Sequence, residues 1–309
     1  MKLENQTVSL ALLIPCYNAE EYLPDFFRRI ELLIGKFDEI IFYDDASTDK
    51  TLTILKESGY KFISGRTNKG PGYARNILAS HTICEYIHFH DVDDEFNISF
   101  IPLIRDKLMD RKHDVILGNA DWINANDYSV KIKWRYDKRE ISKDATDYFI
   151  RNPLGVINTV YKKSSFTAVN GFNEKTKCWE DADIHVRMAS NGAKFVVINE
   201  VIAYSIRHQN GISNNQNWCN KCRLRFLENY LSDLPQRYKK IVLSEVMKTS
   251  IQFFNAKDFQ ELKRCIDICK KHGTSLPLTN NPVLSLLKAL KFSPILIYRL
   301  QRLSIKFNV

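Results

Sequence analysis

The feature that most constrains the fold is a regular alternation of short apolar runs and helical patterns over the first 120 residues. The apolar runs cover residues 8–14, 40–43, 61–64 and 84–89. Between them, the spacing predicts helices from about 19 to 34, from 47 or 48 to 59, and from 72 to 80, with Asn18 as the first N-cap. Strands that are apolar throughout are typical of a parallel sheet with helices on both faces, so we predict an α/β fold.

A polar segment follows each predicted strand. These segments are PCYN at 15–18, DDASTD at 44–49, NKGPGYARN at 68–76 and DVDD at 91–94. Because ligands of such sheets bind beyond the carboxyl ends of the strands, we expect all four segments to converge on one crevice. The last segment crowds Asp91, Asp93 and Asp94 together, which indicates either a bound cation or three carboxylates that point into water.

The remaining chain predicts two further regions. From 113 to about 205 the pattern is mixed, with strands near 115–117, 131–135, 156–161 and 195–198 and helices near 143–150 and 181–190. Beyond 215 the pattern is helical, and the polar run SNNQN marks the boundary. We therefore predict a domain over 1–214, with halves 1–112 and 113–214, and a helical region over 215–309.

The charge of the chain is unevenly distributed. Residues 201–309 hold 18 Lys and Arg against 6 Asp and Glu, whereas residues 1–200 hold 27 against 30. This asymmetry favours an anionic surface as a partner of the C-terminal region, and a solvated helical face is the alternative. Two amphipathic pieces separated by Pro294 are typical of attachment to an anionic membrane surface, although they could instead pack on the catalytic domain or a second subunit. Few aromatic residues lie among the basic ones, which disfavours nucleic acid.

Hydropathy and cysteine content indicate the compartment. No run of about 18 apolar residues occurs, so we expect neither a membrane span nor a secretory signal, and seven thinly spread cysteines are typical of reduced thiols. We therefore expect a cytoplasmic protein, peripheral on the inner face of the membrane if the tail attaches. Cys219 with Cys222 and Cys265 with Cys269 have spacings that zinc could use, but helical context and the lack of a histidine cluster favour cysteines on helix faces.

Five segments together resemble the inverting glycosyltransferases of family 2, which have the GT-A fold. They are IPCYNAEEYL, DDASTD, NKGPGYARN, HDVDD and GFNEKTKCWEDADIHVRM, in family order from residue 8 to about 213. The resemblance implies a Rossmann-like mixed sheet, with a nucleotide-binding half (1–112) and an acceptor half (113–214). It also implies inverting transfer from a nucleotide-diphosphate sugar, a UDP-sugar, to a glycan or lipid-linked hydroxyl in bacterial surface polysaccharide or lipopolysaccharide synthesis.

The resemblance assigns roles to individual residues on the donor side. Asp93 and Asp94 would hold Mn²⁺ or Mg²⁺ at the diphosphate, with His208 as a third ligand or a stabiliser of the leaving group. Asp91 and Asp93 would contact the donor. The remaining donor contacts would be Pro15, Tyr17 and Asn18 along the base, Asp45 on the uracil ring, and Lys69 and Arg75 beside the diphosphate. Ala46 stands where the family often has glycine.

The catalytic pair implied by the resemblance is Glu180 and Asp181, with Asp181 as the general base. Acids in a first helical turn also stabilise a helix without any catalytic role, and Asp183 is compatible with that role alone. The alternative function is a non-catalytic membrane adaptor on a degenerate transferase scaffold. That alternative predicts a missing base or metal-binding acid, yet Asp181, Asp93 and Asp94 are all present.

Overall fold

The computed structural model describes residues 8–176, 178–207 and 215–274, together with the single positions 293 and 296. The chain divides into two compact units, Met1–Gly211 and Ile212–Val309. Among the helices so described, none has both the length and the apolarity that crossing a bilayer requires.

In the described part of the first unit, nine strands form one sheet. They are β1 Leu10–Cys16, β2 Glu39–Asp44, β3 Lys61–Ser64, β4 Tyr86–Phe89, β5 Glu95–Phe96, β6 Val115–Asn124, β7 Val130–Trp134, β8 Thr159–Lys162 and β9 Phe195–Arg207. Their order is β3-β2-β1-β4-β8-β6-β9-β5, with β7 attached to β6 off this path. The helices around the sheet are α1 Leu23–Glu31, α2 Thr51–Glu57, α3 Pro71–His81, α4 Phe100–Leu108, α5 Lys138–Lys143, α6 Ala145–Arg151, α7 Lys163–Ala168 and α8 Glu180–Ser190.

The sheet is mixed rather than wholly parallel. Strands β3, β2, β1 and β4 run parallel, as their continuous apolar sequences predict. Strand β8 then pairs antiparallel with both β4 and β6, and β6 pairs in parallel with β9. The carboxyl ends of β1, β2 and β4 therefore lie along one edge, where their polar segments meet.

The predicted start of the first helix is wrong. Helix α1 begins at Leu23, after a turn in which the N–H groups of Tyr22 and Leu23 both donate to the carbonyl of Ala19. Asn18 is not its N-cap, because Asn18 has a left-handed φ of 49° and its side-chain oxygen accepts from the Thr48 N–H at 2.8 Å. Asn18 therefore links the loops after β1 and β2.

The second unit is helical, as predicted. Its described elements are α9 Gln216–Asp233, a 3₁₀ turn at Gln236–Tyr238, α10 Lys239–Asn255 and α11 Phe259–Lys271. The Glu245 carboxylate is buried on α10 and pairs with Arg223 at 2.6 Å and Lys248 at 2.7 Å. The cysteines Cys219, Cys222, Cys265 and Cys269 are buried on α9 and α11. The proposed amphipathic tail, residues 282–309, lies outside the described residues except for positions 293 and 296.

Candidate active site

The loops after β1 and β2 form one wall of the site. The Asn18 N–H donates to the Ser47 hydroxyl at 2.9 Å, and the Asn18 side chain accepts from Thr48 in return. This exchange fixes the loop that begins with Pro15, while the neighbouring Tyr17 ring remains 51% exposed. An exposed aromatic ring on a fixed loop can stack on a planar base.

Asp45 connects the end of β2 to the loop before α3. Its buried carboxylate accepts from the Lys69 N–H at 3.0 Å and from the Gly70 N–H at 2.7 Å. The Lys69 ammonium lies 4.2 Å from the centroid of the Tyr73 ring, which holds this exposed cation beside the loop. A carboxylate has about four lone-pair sites, so Asp45 retains capacity for a further donor such as a uracil N–H.

Arg75 forms a buried bridge between the two halves of the first unit. Its guanidinium contacts the Asp91 carboxylate at 2.7 Å and the Glu180 carboxylate at 2.6 Å. Burial lowers the pKa of Arg75, but the two carboxylates outweigh burial and raise the pKa overall. The expected contact between Arg75 and a diphosphate stays a prediction, because both terminal nitrogens are engaged by protein carboxylates here.

Asp181 lies at the first turn of α8, directly after Glu180. Burial, followed by the charge of Glu180, raises the pKa of Asp181 to about 7, and Arg75 acts in the opposite direction. The Asp181 carboxylate accepts only the adjacent Ala182 N–H among the described hydrogen bonds, at 2.8 Å. Trp179, which comes directly before Glu180, has a left-handed φ of 70°, a strained conformation for a bulky residue. A carboxyl group with a pKa near neutrality is well matched to general-base chemistry.

Two buried residues that the sequence analysis missed support the backbone of Asp181. The His185 Nδ1–H donates to the Asp181 carbonyl at 2.6 Å, and this fixes Nε2 as the acceptor of the Tyr161 hydroxyl at 3.0 Å. Burial lowers the pKa of His185 to about 3, so the imidazole is neutral at physiological pH. The only sequence signal was a histidine four residues after Asp181 on the inward face of α8.

The acidic loop after β4 contains carboxylates in different environments. Asp91 is half-buried and paired with Arg75, and Asp93 is partly exposed. Asp94 is buried, and its Oδ1 accepts from the Ile206 N–H of β9 at 2.8 Å. Burial, followed by the charges of Asp93 and Asp91, raises the pKa of Asp94 well above its usual range. Asp94 therefore attaches the loop to β9.

The donor atoms of this loop fit a magnesium or manganese ion. Among the residues that the structure describes, no three His, Cys, Asp or Glu side chains form a complete metal cluster. Mg²⁺, however, is commonly held by one or two carboxylates while phosphate oxygens and water supply the other ligands. Asp93 suits this role, whereas Oδ1 of Asp94 already binds β9, so Asp94 as a metal ligand stays a prediction. His208 lies outside the described residues.

The structure has an open mixed sheet with an acidic loop at its strand ends. A helix that starts with a glutamate and an aspartate lies opposite this loop. These features together are those of a glycosyltransferase of the GT-A class. The chain belongs to glycosyl transferase family 2, whose family model matches residues 11–172. A second model, described as the N-terminal domain of galactosyltransferase, matches residues 138–209. The expected GT-A fold and the expected enzyme class are therefore confirmed.

Two curated relatives are named for teichoic acid biosynthesis and for glycosylation of poly(ribitol-phosphate). The chain is 25% identical over 246 residues to the minor teichoic acid biosynthesis protein GgaA of Bacillus subtilis, covering 74% of this chain and 55% of that one. It is 21% identical over 269 residues to the poly(ribitol-phosphate) β-N-acetylglucosaminyltransferase TarS of Staphylococcus aureus, covering 82% and 46%. The chain thus spans about half the length of these relatives.

Solved structures support the fold. S. aureus TarS 1–349 in complex with UDP-GlcNAc superposes with a TM-score of 0.57 at 15% identity, covering 86% of this chain and 92% of that one. The mannosyltransferase PcManGT from Pyrobaculum calidifontis, in complex with GDP-Man and Mn²⁺, gives a TM-score of 0.59 at 13% identity, covering 94% and 83%. At such low identity, these similarities establish the fold alone.

Proposed function

We propose that the protein transfers a sugar from a UDP-sugar to a hydroxyl of a glycan or lipid-linked acceptor, with inversion, during synthesis of a bacterial surface polysaccharide. The observation that carries this proposal is the pKa of about 7 of the Asp181 carboxyl, at the start of a helix that Arg75 links to the acidic loop through Glu180 and Asp91. Relatives named for teichoic acid and poly(ribitol-phosphate) glycosylation, and the fold match to TarS with UDP-GlcNAc, support the donor and acceptor classes.

The loops after β1, β2, β3 and β4 would bind the donor. Tyr17 and the Pro15–Asn18 loop would face the base, Asp45 would accept from the uracil ring, and Lys69 would approach the diphosphate. Asp91 and Asp93 would contact the donor, and Asp93 would also hold Mn²⁺ or Mg²⁺. Such an ion supplies charge neutralisation to the leaving diphosphate.

Asp181 would carry the transfer step. Its carboxylate takes the proton of the acceptor hydroxyl, and the hydroxyl oxygen forms a bond to the anomeric carbon. The bond from that carbon to the diphosphate oxygen breaks with its electron pair, so attack from the opposite face inverts the anomeric centre. The Arg75 bridge would keep Asp91 and the start of α8 in fixed relative positions, since both carboxylates contact one guanidinium.

A cytoplasmic location with peripheral membrane attachment through the basic region 215–309 remains part of the proposal. The support is the excess of 18 Lys and Arg over 6 Asp and Glu in residues 201–309. Sedimentation with anionic vesicles tests the attachment, and equal recovery in the supernatant with and without vesicles would contradict it.

The function is tested by a donor screen with Mn²⁺, in which nucleotide release is measured for a panel of nucleotide sugars with and without acceptor. We expect UDP release, and an Asp181→Asn variant that binds UDP normally but transfers about 10²- to 10⁴-fold more slowly, as for loss of a general base. Asp106→Asn, at an exposed position of α4, is the matched control. Transfer by the Asp181→Asn variant at the normal rate would refute the assigned base, and a wild-type protein that binds no donor would favour the adaptor alternative.

A further inference from the structure

Strand β6 extends beyond its neighbour β8 at the edge of the sheet where the site lies. Because β8 is antiparallel to both β4 and β6, β6 runs in the same direction as β4. Its pairing with β8 ends at Leu117, opposite Thr159, whereas β6 itself continues to Asn124. Among the described strands, this extension pairs with β7 and β9. The Ile206 N–H of β9 also donates to Asp94, so the extension stands beside the acidic loop.

One face of this extension is the face on which α8 packs. Tyr161 of β8 pairs with Val115 of β6, and the Tyr161 hydroxyl contacts His185 of α8 at 3.0 Å. Side chains alternate along a strand, so every second residue after Val115 projects toward the same face. In the extension, these residues begin with Asn119 and Asp121.

The alternation is maintained where the pairing of β6 with β9 becomes irregular. The register shifts on both sides of position 119, but the extra residues lie on β9. The side chain of Ile202, in the core that α1 and α4 cover, leaves no room for a side chain at Gly118. Farther along, Trp134 is opposite Ala120 and contacts Trp122, so positions 120 and 122 share a face. Positions 119 and 121 therefore keep the face of α8.

Asn119 and Asp121 are both buried, but their hydrogen bonding differs. The Asn119 side chain donates to the Asn199 carbonyl at 2.5 Å and accepts from the Tyr136 N–H at 3.3 Å. Asn119 is thus fully used in holding neighbouring backbone. Asp121 is only 8% exposed, yet its Oδ1 accepts no hydrogen bond from any residue that the structure describes.

Arg135 balances the charge of Asp121 without completing its hydrogen bonding. The Arg135 Nη1 atom lies 2.6 Å from Asp121 Oδ1, but it donates to the carbonyls of Ala120 and Trp134, both at 2.9 Å. A terminal guanidinium nitrogen carries two hydrogens, so three oxygens compete for them. The two carbonyl contacts already hold the end of the β6–β7 hairpin. The Asp121 carboxylate is left without a donor, which is costly for a buried oxygen.

We infer that Asp121 and Arg135 form an acceptor subsite that binds a hydroxyl group of a sugar or polyol. This inference rests on the proposed function and specifies how its acceptor is held. A ligand hydroxyl would donate to the Asp121 carboxylate and accept from the Arg135 guanidinium, whose side chain is 40% exposed. A hydroxyl is suited to both groups because it is a donor and an acceptor at once.

The subsite lies at a distance from the reacting hydroxyl. Six steps along β6 separate Val115 from Asp121, about 20 Å, whereas Asp181 is one helical turn, about 6 Å, from His185. Both progressions lead toward the edge of the acidic loop, because Arg75 links the start of α8 to that loop. Asp121 is therefore on the order of 10 Å farther along this direction than Asp181. It would bind a hydroxyl on a different part of the acceptor from the one that loses its proton.

The test is calorimetric binding of two probes, a ribitol phosphate oligomer and maltoheptaose, to the full-length protein loaded with UDP and Mn²⁺. Each probe is compared with its O-methylated form, which keeps the oxygens but loses the hydroxyl hydrogens. We expect at least one probe to bind, and methylation to weaken its binding at least tenfold, as for loss of a hydrogen bond to a charged group. A wild-type protein that binds neither probe would overturn the inference.

Asp121→Asn tests whether this carboxylate recognises the hydroxyl. We expect at least tenfold weaker binding of the unmethylated probe and little further loss on methylation, because the same bond has already been removed. If Asp121 only supports the hairpin, or binds a water molecule instead, the ratio between the two probe forms will stay as in the wild type, and the subsite is refuted. Asp127→Asn, the same change in the turn of the same hairpin, should bind normally.

Arg135→Lys is the second variant, at a more exposed position. It keeps a positive charge beside Asp121 but loses the guanidinium fork, and we expect severalfold weaker probe binding. Arg139→Lys on α5 is its control and should bind normally. If Asp121→Asn does not fold, unchanged probe binding by Arg135→Lys would overturn the inference.

UDP binding separates this inference from the proposed function. It should be unchanged in every variant, because the subsite belongs to the acceptor. Loss of the subsite with normal UDP binding leaves the proposed function intact, whereas failure of the wild-type protein to bind UDP would count against the proposed function itself.

Discussion

The nucleotide-binding and acceptor halves of the first unit hold their polar groups by different means. In the nucleotide-binding half, Asn18 and Asp45 are fixed by hydrogen bonds to backbone N–H groups of neighbouring loops. On the acceptor side, the start of α8 is held by buried side chains, through Glu180 to Arg75 and through His185 to Tyr161. The backbone contacts of Asn18 and Asp45 join loops 30 and 24 residues apart. The side-chain contact between Arg75 and Glu180 joins residues 105 positions apart, in different halves of the unit.

Disruption of the Arg75 bridge should have the largest effect on stability. An Arg75→Met variant leaves the buried Glu180 without its counter-charge, and removal of one partner of a buried pair typically costs about 3–5 kcal/mol. We expect a loss of unfolding free energy of that order in urea titrations, together with loss of transfer activity. Arg28→Met, which removes an exposed ion pair with Asp25, should cost much less.

The double variant Arg75→Met/Glu180→Gln sharpens the test of the bridge. If the unpaired carboxylate is the cause of the destabilisation, neutralising it should recover part of the lost stability. If the two side chains act independently, the loss of stability in the double variant will equal the sum of the losses in Arg75→Met and Glu180→Gln. That result would contradict the unpaired carboxylate as the cause.

The second prediction concerns pH. Asp181 must be ionised to act as a base, and its pKa is raised to about 7. We therefore expect kcat/KM to rise about tenfold per pH unit below 7 and to reach a plateau above it, a difference of about 100-fold between pH 5 and the plateau. Because the folded state binds this proton more tightly than the unfolded chain, Asp181 should also lower stability as pH rises from about 4 to 7.

The pH profile also tests the comparison between the halves. Donor binding, measured by titration with the intact UDP-sugar because free UDP itself titrates at about pH 6–7, should lack this rise if the titrating group belongs to the acceptor side. A flat kcat/KM profile from pH 5 to 8, with the fold intact, would contradict the assignment of Asp181.

The sequence predicted which loops meet at the site, but it did not predict which distant side chains pair there. The motif segments after β1, β2 and β4 predicted which loops meet, because parallel strands place their carboxyl ends at one edge. The bridge from Arg75 to Glu180 joins residues 105 positions apart, and no local pattern specifies such a partner. The antiparallel insertion of β8 was likewise invisible, since short apolar runs give no strand direction.

The turn before α1 shows a smaller failure of the same kind. Asn18 is a residue type that commonly caps helices, yet its side chain accepts from the Thr48 N–H, and the helix starts at Leu23 instead. Local capping preference was overridden by a contact with a loop about 30 residues away.

The third prediction concerns His185 as a positioning residue. His185→Phe removes the hydrogen bond to the Asp181 carbonyl and the hydrogen bond between Nε2 and the buried Tyr161 hydroxyl. We expect about 1–3 kcal/mol of destabilisation and a tenfold lower kcat, with the KM for the donor unchanged. If His185 had only a structural role, the variant would be less stable but the rise of kcat/KM with pH below 7 would not move. An unchanged rise would therefore contradict a role of His185 in positioning Asp181.

The Tyr161→Phe/His185→Phe double variant is the matched control. It removes both partners, so no buried hydroxyl remains unsatisfied, and stability should recover relative to His185→Phe alone. The kcat should stay low because the support of the Asp181 backbone is still missing.

The smallest expected effect lies in the nucleotide-binding half, at Ala46. This residue follows Asp45 and has a left-handed φ of 60°, which costs a residue with a side chain about 1–2 kcal/mol. Glycine adopts this conformation freely but loses more entropy on folding, so Ala46→Gly should stabilise the protein by about 0.5 kcal/mol net. Ala168→Gly, at the end of α7, should instead destabilise it slightly. Thermal unfolding of both variants measures these changes in stability.

UDP affinity provides a second test of Ala46→Gly. Because the Asp45 loop is held by backbone hydrogen bonds, relief of strain at Ala46 should leave the UDP affinity unchanged. A weaker UDP affinity would show that the alanine itself shapes the base site.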